Sequence, residues 1–211
     1  MKSCLIISGG EYCEIPADLR QTDLVLACDR GYQYAARMGI RPDWIIGDFD
    51  SAPKPDADGI PVLQYPSRKD DTDTMLAAKK ALEEDCDQVL ICCCFGGRLD
   101  HTLANLQTAV FLKASGARIR MLGTDTDASV LSSECISLPR REGWSLSLFA
   151  LSDRCTDVCI RGTKYEAAHI TLENGFPLGI SNTWAAETAE IGVKSGYLLI
   201  LQSRLRKGEH I

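Results

Sequence analysis

The sequence predicts an α/β fold: an N-terminal Rossmann-like parallel-sheet domain followed by a C-terminal antiparallel β-sandwich domain. Strand-like apolar runs alternate with helix-like segments as far as Gly123, which is the pattern of a parallel sheet wrapped by helices. Helical periodicity then disappears, and short alternating segments follow, separated by turn residues. A chain of 211 residues is long enough to bury a core without disulfides or structural metals.

The first domain is predicted to contain six strands and three helices in alternation. Short apolar runs between turn signals predict the strands. Apolar residues at helical spacing, such as Leu103, Leu106 and Val110, predict a helix that stops near Gly116. The strands are predicted at residues 4–8, 24–28, 44–46, 62–65, 89–95 and 118–122, and the helices at residues 31–38, 73–84 and 100–114.

The second domain is predicted to consist of short antiparallel strands. Turn signals such as Arg141-Glu142-Gly143 and Glu173-Asn174-Gly175 separate its alternating segments. The strands are predicted at residues 135–138, 145–150, 158–161, 170–172, 190–193 and 198–202. We expect the domains to span residues 1–124 and 128–211, with the join between Gly123 and Ala128.

Composition excludes several classes of function. The chain has 23 Lys plus Arg against 29 Asp plus Glu, a net charge of −6, and no basic run, so it does not resemble a general nucleic-acid binder. Its apolar runs are far shorter than the ~20 residues of a membrane helix, so no membrane partner is expected. The N-terminal residues lack the features of a secretory signal, which predicts a cytoplasmic protein.

The ten cysteines are predicted to remain reduced thiols, as in other cytoplasmic proteins. Cys92, Cys93 and Cys94 are consecutive in an apolar run, so their side chains alternate between faces of a strand and favour core packing over metal binding. Cys155 and Cys159 have no second Cys or His pair nearby in the sequence, and a zinc site there is only weakly indicated.

Aspartates follow the ends of four predicted strands in the first domain. Because the carboxyl ends of parallel strands share one edge of a sheet, these side chains are expected to meet in the crevice where such sheets bind ligands. Crowded carboxylates require either raised pKa values or a bound cation, and Mg²⁺ with phosphate oxygens fits an all-oxygen site. The seven residues are Asp29, Asp48, Asp50, Asp70, Asp71, Asp73 and Asp100.

Each of these residues also has an ordinary structural interpretation. Asp73 and Asp100 could cap helices, and Asp48 or Asp50 could form a turn. His101 could contact phosphate or simply pack at a helix start.

The sequence contains no Gly-x-x-x-x-Gly-Lys-Ser/Thr loop. Gly96-Gly97-Arg98 combines flexible backbone with a guanidinium suited to phosphate, whereas Gly9-Gly10 favours an ordinary turn. Arg68 and Lys69 are further phosphate candidates, with a solvated loop pair as the alternative.

Four motifs in this order together resemble the thiamine pyrophosphokinase family. The resemblance extends from about residue 8 to residue 200. The motifs are Gly47-Asp48-Phe49-Asp50-Ser51, Lys69-Asp70-Asp71-Thr72-Asp73, Gly96-Gly97-Arg98-Leu99-Asp100-His101 with Asn105, and Gly179-Ile180-Ser181-Asn182.

The resemblance implies Mg²⁺-dependent transfer of the pyrophosphoryl group of ATP to the hydroxyethyl oxygen of thiamine, which yields thiamine diphosphate and AMP. It further implies an N-terminal nucleotide-binding catalytic domain, a C-terminal thiamine-binding domain, and a homodimer with active sites at the subunit interface. One of Asp73 and Asp100 is predicted to accept a hydrogen bond or the proton from the thiamine hydroxyl.

The resemblance also assigns residues to roles, position by position. For Trp184 the alternative is packing in the sandwich core, and Thr163 replaces the apolar residue that is usual before Lys164-Tyr165. Catalysis and Mg²⁺ binding are assigned to Asp48, Asp50, Asp73 and Asp100; nucleotide binding to Lys69, Asp70, Thr72, Gly96, Gly97, Arg98 and His101; and substrate binding to Asp29, Asn105, Ser181, Asn182 and Trp184.

Two other classes of function stay open at this stage. Asp48-Phe49-Asp50 also resembles the Asp-x-Asp element of metal-dependent phosphatases, although those enzymes place it after the first strand, and other nucleotide-dependent transferases hold a metal with the same element. A non-catalytic sensor of thiamine or nucleotide would carry the same fold without turnover.

Overall fold

Residues 1–48, 59–66, 70–206 and 208 are described by a computed structural model of the chain. The chain divides into two units, Met1–Thr124 and Asp125–Ile211. None of the helices within the described ranges combines the length and the apolar composition that a membrane span requires.

The first unit is a parallel sheet with helices in its connections. All neighbouring strands run parallel, in the order β6-β5-β1-β2-β3-β4, which confirms the predicted Rossmann-like α/β fold. The strands are β1 Ser3–Ile7, β2 Leu24–Cys28, β3 Trp44–Gly47, β4 Val62–Gln64, β5 Gln88–Cys92 and β6 Arg118–Leu122; the helices are α1 Gly31–Arg37, α2 Asp73–Glu83 and α3 Leu99–Ala114, with a short 3-10 helix at Ala17–Leu19.

The central strands are apolar on both faces because helices cover the sheet on both sides. Every residue of β2 is buried, as are Cys4–Ile7 of β1. Leu5 and Ile7 pack with Ala35 of α1 and with Ile15 in one apolar cluster. The continuous apolar runs that predicted these strands therefore reflect burial on two faces.

The strand order reverses direction between β1 and β5. From β1 the chain adds β2, β3 and β4 on one side, and then returns to add β5 and β6 on the other. In open parallel sheets, ligands bind outside the carboxyl ends of the strands at this switch point. The loops that follow β1 and β5 are therefore the natural walls of a binding site.

Strand β5 is shorter than predicted. It ends at Cys92, and Cys93 adopts a left-handed backbone with φ of 54°. The loop beyond it is bound to the chain after β1: the Gly10 N–H donates to the Cys93 carbonyl at 2.8 Å, and the Glu11 N–H to the Phe95 carbonyl at 2.9 Å. The apolar run thus predicted the burial of residues 89–94 correctly, but it overestimated the length of the strand, and Phe95 is half-buried.

The second unit is a sandwich of two four-stranded antiparallel sheets, β12-β9-β14-β7 and β11-β10-β13-β8. Their inner faces share a core that includes Leu146, Val158, Ile191 and Ile200, which confirms the predicted β-sandwich. The strands are β7 Thr126–Leu131, β8 Glu134–Pro139, β9 Trp144–Ala150, β10 Arg154–Arg161, β11 Ala167–Glu173, β12 Gly179–Asn182, β13 Thr188–Val193 and β14 Leu198–Arg204.

Two strands of the sandwich were not predicted from the sequence. Strand β7 begins with polar residues and is held by six paired positions with β14. Strand β12 is short, exposed at Ile180 and Ser181, and pairs with β9 at only two positions around an irregular register. Both segments form strands because they pair with neighbouring strands, and their own residue patterns only weakly indicate a strand.

All ten cysteines carry free thiols. Cys92, Cys93 and Cys94 are buried, as the packing interpretation predicts, and the Cys93 sulfur lies 3.7 Å from that of Cys13. Burial raises the pKa of the Cys94 thiol well above its usual value. These side chains act as small apolar residues.

We expect Gly31→Ala to lower the free energy of unfolding by about 1–3 kcal/mol through overpacking. A Cβ at position 31 would lie 2.0 Å from the Ile7 carbonyl oxygen, a backbone atom at the end of β1. This clash outweighs the gain in helix propensity of about 1 kcal/mol that Ala normally brings.

Urea unfolding followed by circular dichroism measures this change. Gly175→Ala is the matched control, since no atom lies within 4 Å of a Cβ built there, and it should leave the unfolding midpoint nearly unchanged. A Gly31→Ala protein as stable as the parent would contradict the close packing of α1 on β1.

Candidate active site

A polar cavity of about 720 Å³ lies at the carboxyl edge of the parallel sheet. Its walls come from the loops after β1, β2, β3 and β5 and from the first turns of α2 and α3. The cavity occupies the switch point between β1 and β5, where the topology predicts a ligand.

Close backbone contacts join two walls of this cavity. A Cβ at Gly10 would lie 2.7 Å from both the Cys93 and Phe95 carbonyl oxygens, so glycine is required there. The Glu11 carboxylate accepts a hydrogen bond from the Gly97 N–H at 3.3 Å. Gly9-Gly10 is therefore a site of close approach between two loops, in addition to being a turn.

Four of the seven predicted carboxylates line the cavity. Asp29 follows β2 in a left-handed conformation with φ of 44°, and its N–H donates to the Ile46 carbonyl at 2.9 Å. Asp48 directly follows β3, and Asp73 is the first residue of α2. Asp71 lines the cavity as well. Each is positioned by a strand end or a helix start, as the sequence predicted.

Hydrogen bonds fix the start of α2 beside the cavity. The Thr72 hydroxyl caps the helix by accepting from the Met75 N–H at 3.2 Å. The buried hydroxyls of Ser8 and Thr74 lie 2.8 Å apart, which ties α2 to the end of β1. Asp73 lies between these two anchored residues and is held in place by both.

Arg98 and Asp100 form an exposed pair at the start of α3. The guanidinium donates from Nη2 to Asp100 Oδ2 at 2.5 Å and from Nε to Oδ1 at 3.1 Å. The His101 N–H also donates to Oδ1, at 2.9 Å. The Arg98 guanidinium, together with this N–H, holds the pKa of Asp100 below its usual value. Arg98 and His101 both line the cavity.

The chemistry of the lining fits a hard cation with phosphate. Asp29, Asp48, Asp71 and Asp73 all line one cavity, and Mg²⁺ prefers oxygen ligands from a few carboxylates plus substrate phosphates and water. Among the described residues, no three of these carboxylates bring ligand atoms within 4.8 Å of one another. They therefore form an open oxygen-lined site that a polyphosphate would complete.

Two predicted site residues lie outside the described residues, namely Asp50 and Lys69, together with Arg68. Asp70 is exposed just before α2, beside Asp71, whose carboxylate accepts from Lys79 Nζ at 2.6 Å.

Asn105 is buried at the edge of the cavity. Its amide donates to the Cys94 carbonyl at 2.8 Å. Asn105 therefore holds the loop after β5 in position. The sequence predicted a contact with substrate for this residue and did not predict this positioning contact.

Residues of the second unit that were assigned to the substrate have different surroundings. Asn182 is buried and uses its amide to hold residues 163–165, accepting from the Tyr165 N–H at 3.0 Å and donating to the Tyr165 carbonyl at 2.8 Å. Ser181 is exposed, with φ of 57°. Trp184 belongs to the sandwich core, where Nε1 donates to the Leu138 carbonyl at 3.0 Å, a position that favours packing over ligand contact.

Several cavity residues were not singled out in the sequence. Glu11, Arg30, Tyr34 and Thr74 all line the cavity, and the Tyr34 hydroxyl donates to the Gly10 carbonyl at 2.8 Å. The signal that could have found Glu11 is its place directly after Gly-Gly at the end of the first strand. Tyr34 has no distinguishing feature in the sequence of its helix, so its contact with the loop after β1 could be identified only from the tertiary structure.

Comparison with known proteins decides the family. The family model "Thiamin pyrophosphokinase, catalytic domain" matches residues 17–121, and "Thiamin pyrophosphokinase, vitamin B1 binding domain" matches residues 134–198. The chain belongs to the thiamin pyrophosphokinase family. The two matches cover most of the chain. Most of the residues that line the cavity lie in the segment that the catalytic model matches, and the loop after β1 precedes it.

Relatives of the thiamin pyrophosphokinase family support this membership along the whole chain. The thiamine pyrophosphokinase of Bacillus subtilis is 29% identical over 214 residues, covering 96% of this chain and 99% of that protein. A crystal structure of thiamine pyrophosphokinase from Bacillus subtilis has a TM-score of 0.84 at 26% identity, covering 98% of this chain and all of that one. Thiamin pyrophosphokinase from Candida albicans shares the fold at 14% identity, with a TM-score of 0.78 over 96% of this chain and 89% of that one.

We expect Arg98→Gln to raise the pKa of the Asp100 carboxyl towards its ordinary value, because the hydrogen-bonded guanidinium is the largest cause of its lowering. NMR titration of the side-chain carboxyl carbon measures the pKa. Arg154→Gln is the matched control, since Arg154 pairs at 3.2 Å with Glu173 in the second unit. An unchanged Asp100 titration in Arg98→Gln would show that the pair does not persist in solution.

Proposed function

We propose that the chain transfers the pyrophosphoryl group of ATP to thiamine in a Mg²⁺-dependent reaction, with thiamine diphosphate and AMP as products. The observation that carries this proposal is the carboxylate-lined cavity at the β1/β5 switch point in a chain of the thiamin pyrophosphokinase family. Asp48 and Asp73, two of the predicted catalytic carboxylates, lie together in that cavity.

The proposed reaction makes one bond to phosphorus and breaks one. The hydroxyethyl oxygen of thiamine bonds to the β-phosphorus, the bond from that phosphorus to the α,β-bridging oxygen breaks, and AMP leaves with the bridging oxygen. The hydroxyl proton passes to a base. Because an alcohol is a weak nucleophile and the polyphosphate is highly charged, alignment and charge neutralisation supply most of the catalysis.

The residues of the cavity suit this chemistry. We assign Mg²⁺ to Asp48 and Asp73, together with Asp50 and Asp100; when bound, the ion supplies charge neutralisation and alignment of the phosphates. Arg98 suits bidentate contact with phosphate oxygens. One of Asp73 and Asp100 accepts the hydrogen bond or the proton of the thiamine hydroxyl. Arg98 lowers the pKa of Asp100, which makes this carboxylate a weaker base but leaves it a hydrogen-bond acceptor.

The two units divide the substrates in this proposal. The first unit binds ATP, with the remaining contacts from Lys69, Asp70, Thr72 and the Gly96-Gly97 loop. The second binds thiamine through exposed Ser181, while buried Asn182 positions the adjacent Lys164-Tyr165 segment. The placement of Trp184 in the core removes it from the set of residues that we expect to touch thiamine.

The phosphatase alternative is disfavoured by the position of Asp48. This residue follows β3, the third strand in chain order, whereas aspartyl phosphatases place their Asp-x-Asp element after the first. The ten free thiols are consistent with the proposed cytoplasmic location, where cysteines stay reduced.

Incubation with ATP, Mg²⁺ and thiamine is expected to yield thiamine diphosphate and AMP in equal amounts, because the group transferred is pyrophosphoryl. Liquid chromatography with mass detection identifies both products. Release of inorganic phosphate without AMP would indicate a phosphatase. Binding of both ligands by calorimetry without any AMP would indicate a sensor.

Variants of the two candidate acceptors sharpen this test. Asp73→Asn and Asp100→Asn should each leave folding intact, and at least one should lower kcat by about 10²-fold or more, as expected for loss of a proton acceptor. Glu142→Gln is the matched control, because Glu142 is highly exposed in the second unit. Near-normal kcat at saturating Mg²⁺ in both variants would contradict the proposed role.

We also propose that the active enzyme is a homodimer with its active sites at the subunit interface. Two groups of exposed large apolar side chains support this proposal. Leu99 and Leu103 lie on α3, and Phe176, Leu178 and Ile180 lie at and just before β12. Leu99 directly follows the cavity residue Arg98, and Ile180 directly precedes Ser181. In a two-fold dimer each of these surfaces would cover the other on the partner copy, which brings Ser181 of the partner towards the cavity.

We expect light scattering at micromolar concentration to give the mass of a dimer, and Leu178→Asp to give a monomer with greatly reduced activity. The substitution puts a charge into the proposed apolar contact, and it should not disturb folding because Leu178 is 55% exposed. Glu142→Gln again serves as the control that stays dimeric. A wild-type monomer that is fully active would exclude this part of the proposal.

A further inference from the structure

Three different metal-binding side chains meet on one face of the sheet β11-β10-β13-β8. Asp157 and Cys159 lie on β10 and His169 lies on β11, and their ligand atoms all fall within 4.8 Å of one another. The neighbours Val158 and Ile160 belong to the sandwich core, so Asp157 and Cys159 lie on the outer face of the sheet. The cluster belongs to the second unit, and none of its residues lines the catalytic cavity.

The backbone holds these side chains together. Asp157 and His169 both have left-handed conformations, with φ of 55° and 57°, and the pairing of β10 with β11 shifts register on both sides of Val158. The His169 Nδ1 and an Asp157 carboxylate oxygen are in direct hydrogen-bond contact. Left-handed backbone is strained at residues other than glycine, and such residues cluster at functional sites.

We propose that Asp157, Cys159 and His169 bind a thiophilic divalent transition-metal ion of the Zn²⁺ class. A thiolate sulfur, an imidazole nitrogen and a carboxylate oxygen are the donors that Zn²⁺ uses in proteins, and three of them with a water complete a tetrahedral site. Bond lengths of about 2.0–2.3 Å place neighbouring ligand atoms of such a site roughly 3.3–3.8 Å apart. All ligand atoms already lie within 4.8 Å of one another, so small side-chain movements form the site. The hydrogen bond between His169 and Asp157 opens to admit the ion.

The proposed site is open to solvent on one side. The side chains of Asp157 and His169 are 37% and 75% exposed, and Cys159 is half-buried. An ion can therefore enter directly, and its fourth ligand is water. Hard cations such as Mg²⁺ prefer all-oxygen ligands, so sulfur and nitrogen donors distinguish this site from the carboxylates of the first unit.

Cys135 provides a matched thiol on the same face. Cys159 and Cys135 both pair with Gly192, from β10 and β8 respectively, and the exposed Cys135 side chain reaches over that glycine. Its sulfur is not part of the 4.8 Å group. The proposal therefore assigns the metal to Cys159 and excludes Cys135 as a ligand.

A bound ion would join β11, an edge strand, to the internal strand β10 at the point where their pairing is irregular. An ion that binds only the folded state stabilises it by mass action. The site thus has a structural effect on the sandwich that can be measured without any assay of turnover, and it does not depend on the proposed reaction.

Titration of the chelator-treated full chain with Co²⁺ alone tests the proposal. We expect one equivalent to produce a thiolate-to-Co²⁺ charge-transfer band with the visible absorption of tetrahedral Co²⁺, and Zn²⁺ to displace it. Cys159→Ser should abolish the charge-transfer band. His169→Ala and Asp157→Asn should each raise Kd by about tenfold or more, the scale seen when a supporting group of a metal site is lost.

The controls separate this site from other thiols and carboxylates. Cys135→Ser, and Glu173→Gln on β11, should keep the band with Kd within about twofold of the parent. Zn²⁺ should raise the melting temperature of the parent and of Cys135→Ser, but not that of Cys159→Ser, whose metal-free melting should match the parent's. Absence of the band in the parent, its persistence in Cys159→Ser, or its loss in Cys135→Ser would each overturn the proposal.

Discussion

The backbone contact between the loops after β1 and β5 is the constraint on which the catalytic cavity depends. The N–H groups of Ser8, Gly10 and Glu11 donate in succession to the carbonyls of Cys92, Cys93 and Phe95, at 2.8–2.9 Å. These bonds continue the pairing of β1 with β5 beyond the strands, across the switch point of the sheet. Side-chain volume at Gly10 would separate the loops and remove one wall of the cavity.

Much of the fold could be predicted from the sequence because burial on two faces leaves continuous apolar runs, as in β1 and β2. The limits of β5 and the existence of β12 could not. Strand β5 stops where Cys93 turns left-handed to meet the loop after β1, a contact with residues some eighty positions away. Strand β12 depends on its partner β9, and nothing in Gly179–Asn182 itself specifies that pairing.

The candidate site, like the fold, could be predicted from the sequence only in part. Strand ends in a parallel sheet share an edge, so the meeting of Asp29, Asp48 and Asp73 in one cavity followed from their places in the chain. The pairing of Asp100 with Arg98, the support of the β5 loop by Asn105 and the burial of Trp184 required the folded structure. Motifs thus identify which residues share a site, while side-chain partners decide which of them remain available to a ligand.

The burial of most cysteines determines when their thiols can react with oxidants and alkylating agents. A thiol reacts with oxidants and alkylating agents as its thiolate, and burial suppresses the thiolate at Cys94, while the hydrogen bond with Cys93, followed by burial, does so at Cys13. These thiols can therefore be oxidised only when the parallel sheet opens, so the rate of opening limits the rate of damage. The thiols of the first unit therefore become accessible to such reagents on unfolding, whereas exposed Cys135 and half-buried Cys159 are accessible in the native state.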